Sequence, residues 1–399
     1  MPGRSIPVYA PFVLVIAVLS LVLWAPDPFL GDWHNFWYAG HLVATGRSPY
    51  DASSYAGLEP QFADLAAERQ VLPWPYPPWT NLFLAPFGAL PLRAGIIALH
   101  ATLVVLGIGG ILMLARQLPL RGTGTQALAL TIAAAYEPFV RATRTAHFDA
   151  LLLLGVLLLA AGWRRDSAWR FGLGAVLVAV KPHVVLVLAL ASVVALVGSR
   201  RWRTFATTAV ALAAFAGLGW LVSPMPAPAA NAATWLALPV GHDSSTWTLG
   251  AMLAGTAWPI AGVALLLVPL ALCARALRIS PPSRSALFVF AAAAVSLAVV
   301  PYAQSYDYLT LLPIAWLLVR SAEDKPRPMR DLVLTLAVVV AVLVPWLAYF
   351  GDYVIDSHAL RSTEPLLMLL LLPLIARTAN VALSVSSPVS ATEHGSPAA

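Results

Sequence analysis

The chain has 399 residues, 60% of them hydrophobic and 11% charged, with a mean hydropathy of +0.79 and a formal charge of +6. That balance excludes a soluble globular protein and a disordered chain, and the apolar runs lack the alternation over about ten residues that marks a transmembrane β-barrel. The basic residues collect at the ends of apolar runs, so no nucleic-acid partner is implied, and the single Cys273 rules out an internal disulfide or a cysteine-built metal cluster.

Apolar runs recur from Val8 to Ala376, many of them long enough to cross a hydrocarbon core of about 30 Å. The expected fold is therefore an all-α polytopic membrane bundle of about twelve spans in a membrane bilayer. The first run, 8–25, ends Leu23-Trp24-Ala25 without a small-x-small cleavage pattern and reads as a retained anchor. An outer loop, 26–78, follows. In it Trp33, Phe36, Trp37, Gly40 and Val43 recur at helical spacing up to a stop at Gly46. Leu58, Phe62, Leu65 and Arg69 mark a second short amphipathic helix, and both helices are expected to lie in the membrane interface.

Residues 79–91 (WTNLFLAPFGALP) are expected to dip into the membrane without crossing. Spans then fall at about 94–115, 126–140, 148–163, 171–181, 183–198, 203–222, 248–274, 285–300, 306–320, 331–349 and 364–377. With a cytoplasmic N-terminus, this places Arg116/Arg121, Arg164/Arg165/Arg170, Arg200/Arg201/Arg203, Arg275/Arg278/Arg284, Arg320/Lys325/Arg327/Arg330 and Arg377 all on the inner side. The apolar stretch 171–198 is broken at Lys181-Pro182-His183, because proline removes a backbone donor and disfavours helix at the residue before it. Residues 1–380 form one transmembrane domain. The Ser-, Ala- and Pro-rich 381–399 reads as a disordered cytoplasmic tail. No internal repeat of the kind found in secondary transporters is visible.

The chemistry-bearing residues gather in the outer loops. Asp32 opens the 33–45 segment, where a carboxylate caps a helix well and equally serves as a general base at the water–membrane boundary. Trp33 and His34 follow it. The Trp74–Trp79 run (WPYPPW), with Tyr76 at its centre, is either a rigid aromatic loop or a stacking surface for a sugar or lipid chain. Arg141 and Arg144 run against the positive-inside trend, beside His147 and Asp149. They either pair with Glu137 or Asp149, contact headgroups, or recognise phosphate through the guanidinium fork. Lys181 in an apolar stretch needs a partner or an anion, and His183 stands next to it. His242, Tyr306 and Asp307 complete the outer set, as sugar or acceptor contacts together with Tyr76, Trp33, His34 and Asp149. No HExxH, DxD, EF-hand, Walker, GxGxxG or nucleophile-elbow pattern occurs, so neither a metal nor a nucleotide cofactor is expected.

GDWHNFWYAGHLVATGRSPYD followed by YPPWTNLFLAPFGALP resembles the start of the polyprenol-phosphate-dependent glycosyltransferases of family 87, in the GT-C superfamily, which includes mycobacterial mannosyltransferases. The resemblance is carried by Asp32, Tyr76-Pro77-Pro78, Lys181-Pro182 and the run SYDYLTLLP from Ser305 to Pro313, in that order. The chain departs from the pattern at Ala146–Asp149, where a Gly-Gln-x-Asn run is common. It departs again at Asp307 and Tyr308, where relatives often carry histidine. The resemblance implies a GT-C-type bundle and a lipid-phosphate-linked sugar donor, usually mannose. It also implies a glycolipid or glycan acceptor on the outer face, inversion at the anomeric carbon and no obligatory metal. Asp32 would be the base, with Lys181, Arg141, Arg144, His147 and His183 around the donor phosphate. Arabinofuranosyl transfer and, as a non-enzyme, a lipid or sugar transporter or flippase are the alternatives. Oligomeric state is not legible.

Overall fold

The computed structural model describes residues 33–51, 74, 76–225, 260–279, 285–299, 303–355 and 363–382, and every regular element among them is helical. Helix α1 (Trp33–Ala44) stops before Gly46, which takes the left-handed φ of +74° that favours glycine. Its Phe36–Gly40, Leu42 and Val43 are all buried, so α1 is packed inside the protein over most of its circumference. The second expected amphipathic helix (58–69) and the first span (8–25) lie outside the described residues.

Helix α2 (Thr80–Gly88) is nine residues, about 13 Å, which is too short to cross a bilayer core. It crosses α1 where Gly40 meets Gly88, and a Cβ on either glycine would run into the other segment's backbone. Next come α3 (Leu92–Gln117), α4 (Thr123–Ala135), α5 (Glu137–Arg144), α6 (Asp149–Arg164), α7 (Ala168–Val178), α8 (Leu186–Gly198) and α9 (Trp202–Val222). After them follow α10 (Ile260–Ile279), α11 (Ser285–Val299), a 3-10 helix (Ser305–Leu311), α12 (Leu312–Ala322), α13 (Arg327–Val338), α14 (Val344–Ile355) and α15 (Thr363–Ala382).

Most expected spans correspond to a helix, with three informative differences. The 126–140 segment is two helices broken at Tyr136, whose backbone is extended (ψ 111°). Pro138 has no N–H for the carbonyl a turn earlier, so α4 cannot run on through it. The Lys181 break is wider than Lys181-Pro182-His183, since α7 ends at Val178 and α8 resumes at Leu186. The 331–349 span extends to 327–355 and contains a π-helical turn, Val339–Leu343, just before Pro345. Such a turn accommodates a proline that cannot donate into the ladder.

Helix α6 is the axis of the bundle, packing against α3, α7, α11 and the 3-10 helix. Thirteen of its sixteen residues are buried, as befits a helix apolar all round. Small residues let α7 approach it closely: a Cβ on Gly174 would lie 2.8 Å from the Gly155 carbonyl. Helix α9 is the opposite case. Val210, Leu218 and Leu221 are 68%, 54% and 81% exposed, a surface that suits lipid rather than water. Among the described helices, Leu92–Gln117, Trp202–Val222 and the continuous Arg327–Gly351 are long and apolar enough to cross a membrane, and the protein is a helical membrane protein.

The bundle has two chemically distinct ends, separated by the length of α6, about 24 Å for its sixteen residues. At one, Arg121 pairs with Asp324 at 2.7 Å and Arg320 with Glu323 at 2.8 Å. There too, Arg201 donates to the Trp163 carbonyl and Arg164 to the Gln117 carbonyl. These arginines come from loops that the charge pattern had assigned to one common side. The other end holds the buried acidic and cationic cluster described next.

Candidate active site

Helix α6 begins at Asp149 immediately after a tight turn in which Ala146 takes a positive φ of 54°. This turn puts His147 and Asp149 on the same side of the bundle end. The turn between α7 and α8 brings up Lys181, and the 3-10 helix brings up Tyr306 and Asp307. Lys181 Nζ lies 2.7 Å from Asp307 Oδ1, and 3.4 Å from both Asp149 oxygens and from His147 Nδ1. All are shielded: Lys181 is 3% exposed, His147 and Asp307 1%, Asp149 0%. Burial by itself would favour the neutral amine. The carboxylates of Asp149 and Asp307 outweigh it and hold the ammonium above the ordinary lysine range.

Each partner is held in turn. Asp307 Oδ2 accepts from the Gln304 N–H at 2.7 Å, as one half of a capping box that starts the 3-10 helix. The Tyr306 ring stacks on His147 at 3.6 Å between centroids, with Lys181 Nζ 4.5 Å above the Tyr306 ring. The Lys181 turn is fixed from behind by the proline-rich motif. Trp79 Nε1 donates to the Ala179 carbonyl at 2.7 Å, and Thr80 Oγ1 to the Val180 carbonyl at 3.1 Å.

Arg141 flanks the cluster on α5. Its guanidinium sits 5.7 Å from the ring centroids of both Tyr306 and Tyr349, and its Nη1 donates to Ser305 Oγ at 2.7 Å. Arg144, one turn further along, is exposed. His183 shares the Lys181 turn, is exposed, and interacts electrostatically with Asp307 and Lys181. An aromatic wall closes the remaining side. Phe36 meets His147 at 5.2 Å, Phe148 at 4.5 Å and Tyr76 at 5.7 Å, and Tyr76 meets Phe148 at 5.2 Å. The Tyr50 hydroxyl donates to the Tyr76 carbonyl at 2.7 Å, and burial keeps that phenol protonated by raising it above the usual tyrosine range.

Of the residues singled out in the sequence, Lys181, His147, Asp149, Tyr306 and Asp307 converge directly, with Arg141 against them through Tyr306. Tyr76 joins them through the aromatic wall. Trp33 and His34 stack on each other at 3.3 Å at the start of α1, one turn before Phe36. Asp32 and His242 lie outside the described residues. Lys181, which the sequence left in need of a partner or an anion, pairs with two carboxylates. Tyr136 and Glu364 were not singled out in the sequence, and Ser305 only as the start of the SYDYLTLLP run; the three belong to a second buried group beside Arg141. A glutamate opening a Leu-rich run was the available signal for Glu364.

The model of glycosyltransferase family 87 matches residues 74–301, more than half of the chain. The chain belongs to glycosyltransferase family 87. No curated protein and no solved structure matches it. The family match covers Tyr76, Arg141, Arg144, His147, Asp149, Lys181, His183 and His242; the 3-10 helix with Tyr306 and Asp307 lies just beyond its end, and Asp32 lies well before its start. As a membrane glycosyltransferase, the protein carries at one end of an apolar bundle a set of buried charges that lipid-facing helices alone do not need.

Proposed function

We propose that this glycosyltransferase moves a sugar, mannose in the first instance, from a polyprenyl-phosphate donor to a lipid-linked or glycan acceptor on the outer face of the membrane, with inversion. The observation that carries the reading is the convergence of Arg141 and the Lys181–Asp149–Asp307 group at the bundle end opposite the arginine-rich loops. Arginines on both outer loops and inner loops are otherwise hard to reconcile with charge-directed insertion.

In this mechanism the acceptor oxygen attacks C1 of the sugar, the C1–O bond to phosphate breaks, and polyprenyl phosphate leaves with the bonding electrons. Asp32, directly before α1 in the sequence, takes the acceptor proton. Support for it lies in its neighbours, because Phe36, one turn into α1, packs on His147. Arg144, exposed, and Arg141, partly buried, meet the phosphate as its charge develops, an effect that grows in a water-poor site. Lys181, committed to two carboxylates, acts on the phosphate only through space and orients Asp149 and Asp307 toward sugar hydroxyls. The lipid tail lies along exposed apolar helix surface, and the mechanism invokes no metal.

The deciding experiment compares purified wild type with Asp32→Asn, using a short-chain mannosyl phosphoryl lipid and a membrane glycolipid acceptor. Transfer by wild type and its loss in a folded Asp32→Asn protein is the expected result. Wild-type turnover in Asp32→Asn removes Asp32 from the chemistry. An inactive wild type that becomes active with an arabinofuranosyl phosphoryl lipid replaces mannose by that sugar.

A further inference from the structure

Tyr136 stands at the break between α4 and α5, fully buried. Its hydroxyl oxygen is 2.7 Å from the Tyr308 carbonyl oxygen and 2.5 Å from Glu364 Oε1. A carbonyl only accepts, and a phenol has a single proton to give. If Tyr136 donates to Tyr308, the contact with Glu364 must be donated by Glu364. The reverse assignment leaves the phenol and carbonyl oxygens facing each other at 2.7 Å with no hydrogen between them.

Charge counting points the same way on separate grounds. Glu137 and Glu364 are 1% and 2% exposed and lie in one buried group. Arg141 reaches Glu137 through Ser305: its Nη1 donates to Ser305 Oγ, and that hydroxyl donates to Glu137 Oε1 at 3.3 Å. Among the described residues no lysine or arginine forms an ion pair with Glu364, and a buried carboxylate without such a partner is expensive, so the neutral acid is the form that fits.

We propose that Glu364 carries a proton and is a positioning residue. As a donor to Tyr136 it frees the Tyr136 proton for the Tyr308 carbonyl, and so pins the 3-10 helix that bears Tyr306 and Asp307. Its effect on transfer rests on the function proposed above, but its protonation does not. Glu364 acts through two intermediaries and touches no reacting atom.

The test uses the full-length protein in lipid nanodiscs. Infrared difference spectra between wild type and Glu364→Gln are expected to show a protonated-carboxyl C=O band in wild type that the variant lacks. A difference confined to the carboxylate stretches overturns the proposal. Glutamine keeps a donor toward Tyr136, so Glu364→Gln is expected to retain transfer. In folded Glu364→Ala and Tyr136→Phe, kcat is expected to fall about tenfold, at unchanged donor KM, for loss of one buried hydrogen bond. If Glu364→Gln is as impaired as Glu364→Ala while folded, the donor role is wrong. Should wild type transfer neither sugar, the function proposal falls and the infrared bands still decide the state of Glu364.

Discussion

Lys181 Nζ and Asp307 Oδ1 meet at 2.7 Å although 126 positions separate them in the chain. The same ammonium spans to Asp149 at the head of α6, so one side chain ties the α7–α8 turn, the central helix and the 3-10 helix together. Two carboxylates share one buried cation, which makes the group sensitive to removal of any member.

Replacing Lys181 with Met leaves Asp149 and Asp307 buried without their counter-charge, at an expected cost of about 3–5 kcal/mol. Adding Asp307→Asn is expected to restore part of that loss, because it removes one of the stranded charges. Thermal unfolding of the detergent-solubilised variants reads both effects. A double variant no more stable than Lys181→Met means that the ion pair is not what Lys181 contributes.

Arg141 and Arg144 separate binding from architecture. Arg144 is exposed on the last turn of α5, whereas Arg141 holds Ser305 and lies against Tyr306 and Tyr349. Arg144→Ala is expected to raise the donor KM by about tenfold, the loss of a charged hydrogen bond, and to leave the melting temperature unchanged. Arg141→Ala is expected to lower both donor affinity and melting temperature. An unaltered donor KM in Arg144→Ala takes that residue away from the phosphate.

The α6–α7 contact depends on the missing side chain of Gly174. Gly174→Leu forces a Cβ to 2.8 Å from the Gly155 carbonyl, and overpacking of this kind costs about 1–3 kcal/mol or more. Gly109→Ala on α3 is the matched control, since nothing lies within 4 Å of its added Cβ. Folded yield by size exclusion is expected to drop for the first and hold for the second. Equal yields would show that the two helices are free to separate.

Trp79→Phe keeps an aromatic side chain, though a smaller one, and removes the N–H that the Ala179 carbonyl accepts. A buried carbonyl without a partner costs about 1–3 kcal/mol. Hydrogen exchange is expected to quicken across residues 179–185, ahead of any change in α6. Unchanged exchange there would mean that Thr80 alone holds the turn.

Much of the fold was legible because apolar runs and charged ends obey strong rules: α3, α6, α9 and α11 follow their expected spans to within a few residues. The breaks were harder. Pro182 announced one, but Pro138 and Pro345 produced a helix break and a π turn that hydropathy averages over. Lys181 was legible as an expensive charge in an apolar stretch, and His147 and Asp149 as neighbours of outer-loop arginines that run against the positive-inside trend. Their mutual contact across 32 to 34 positions was not, nor was the pairing of Lys181 with Asp307 across 126, since such separations leave no local trace. Tyr136, Ser305 and Glu364 escaped for a related reason. Hydroxyls and acidic residues are common near helix ends, and only the position of the Tyr308 carbonyl gives the Tyr136–Glu364 pair its meaning.

The anchoring of the Lys181 turn by Trp79 and Thr80 sets an order of events during synthesis. Both donors precede their acceptors by 100 residues. At about 5–20 residues per second, the ribosome needs about 5–20 s to supply the missing carbonyls. Through that interval the aromatic turn waits with two polar hydrogens unsatisfied by the finished protein. A nascent chain stalled between α2 and α7 would therefore present an unfinished face to any chaperone that surveys the membrane.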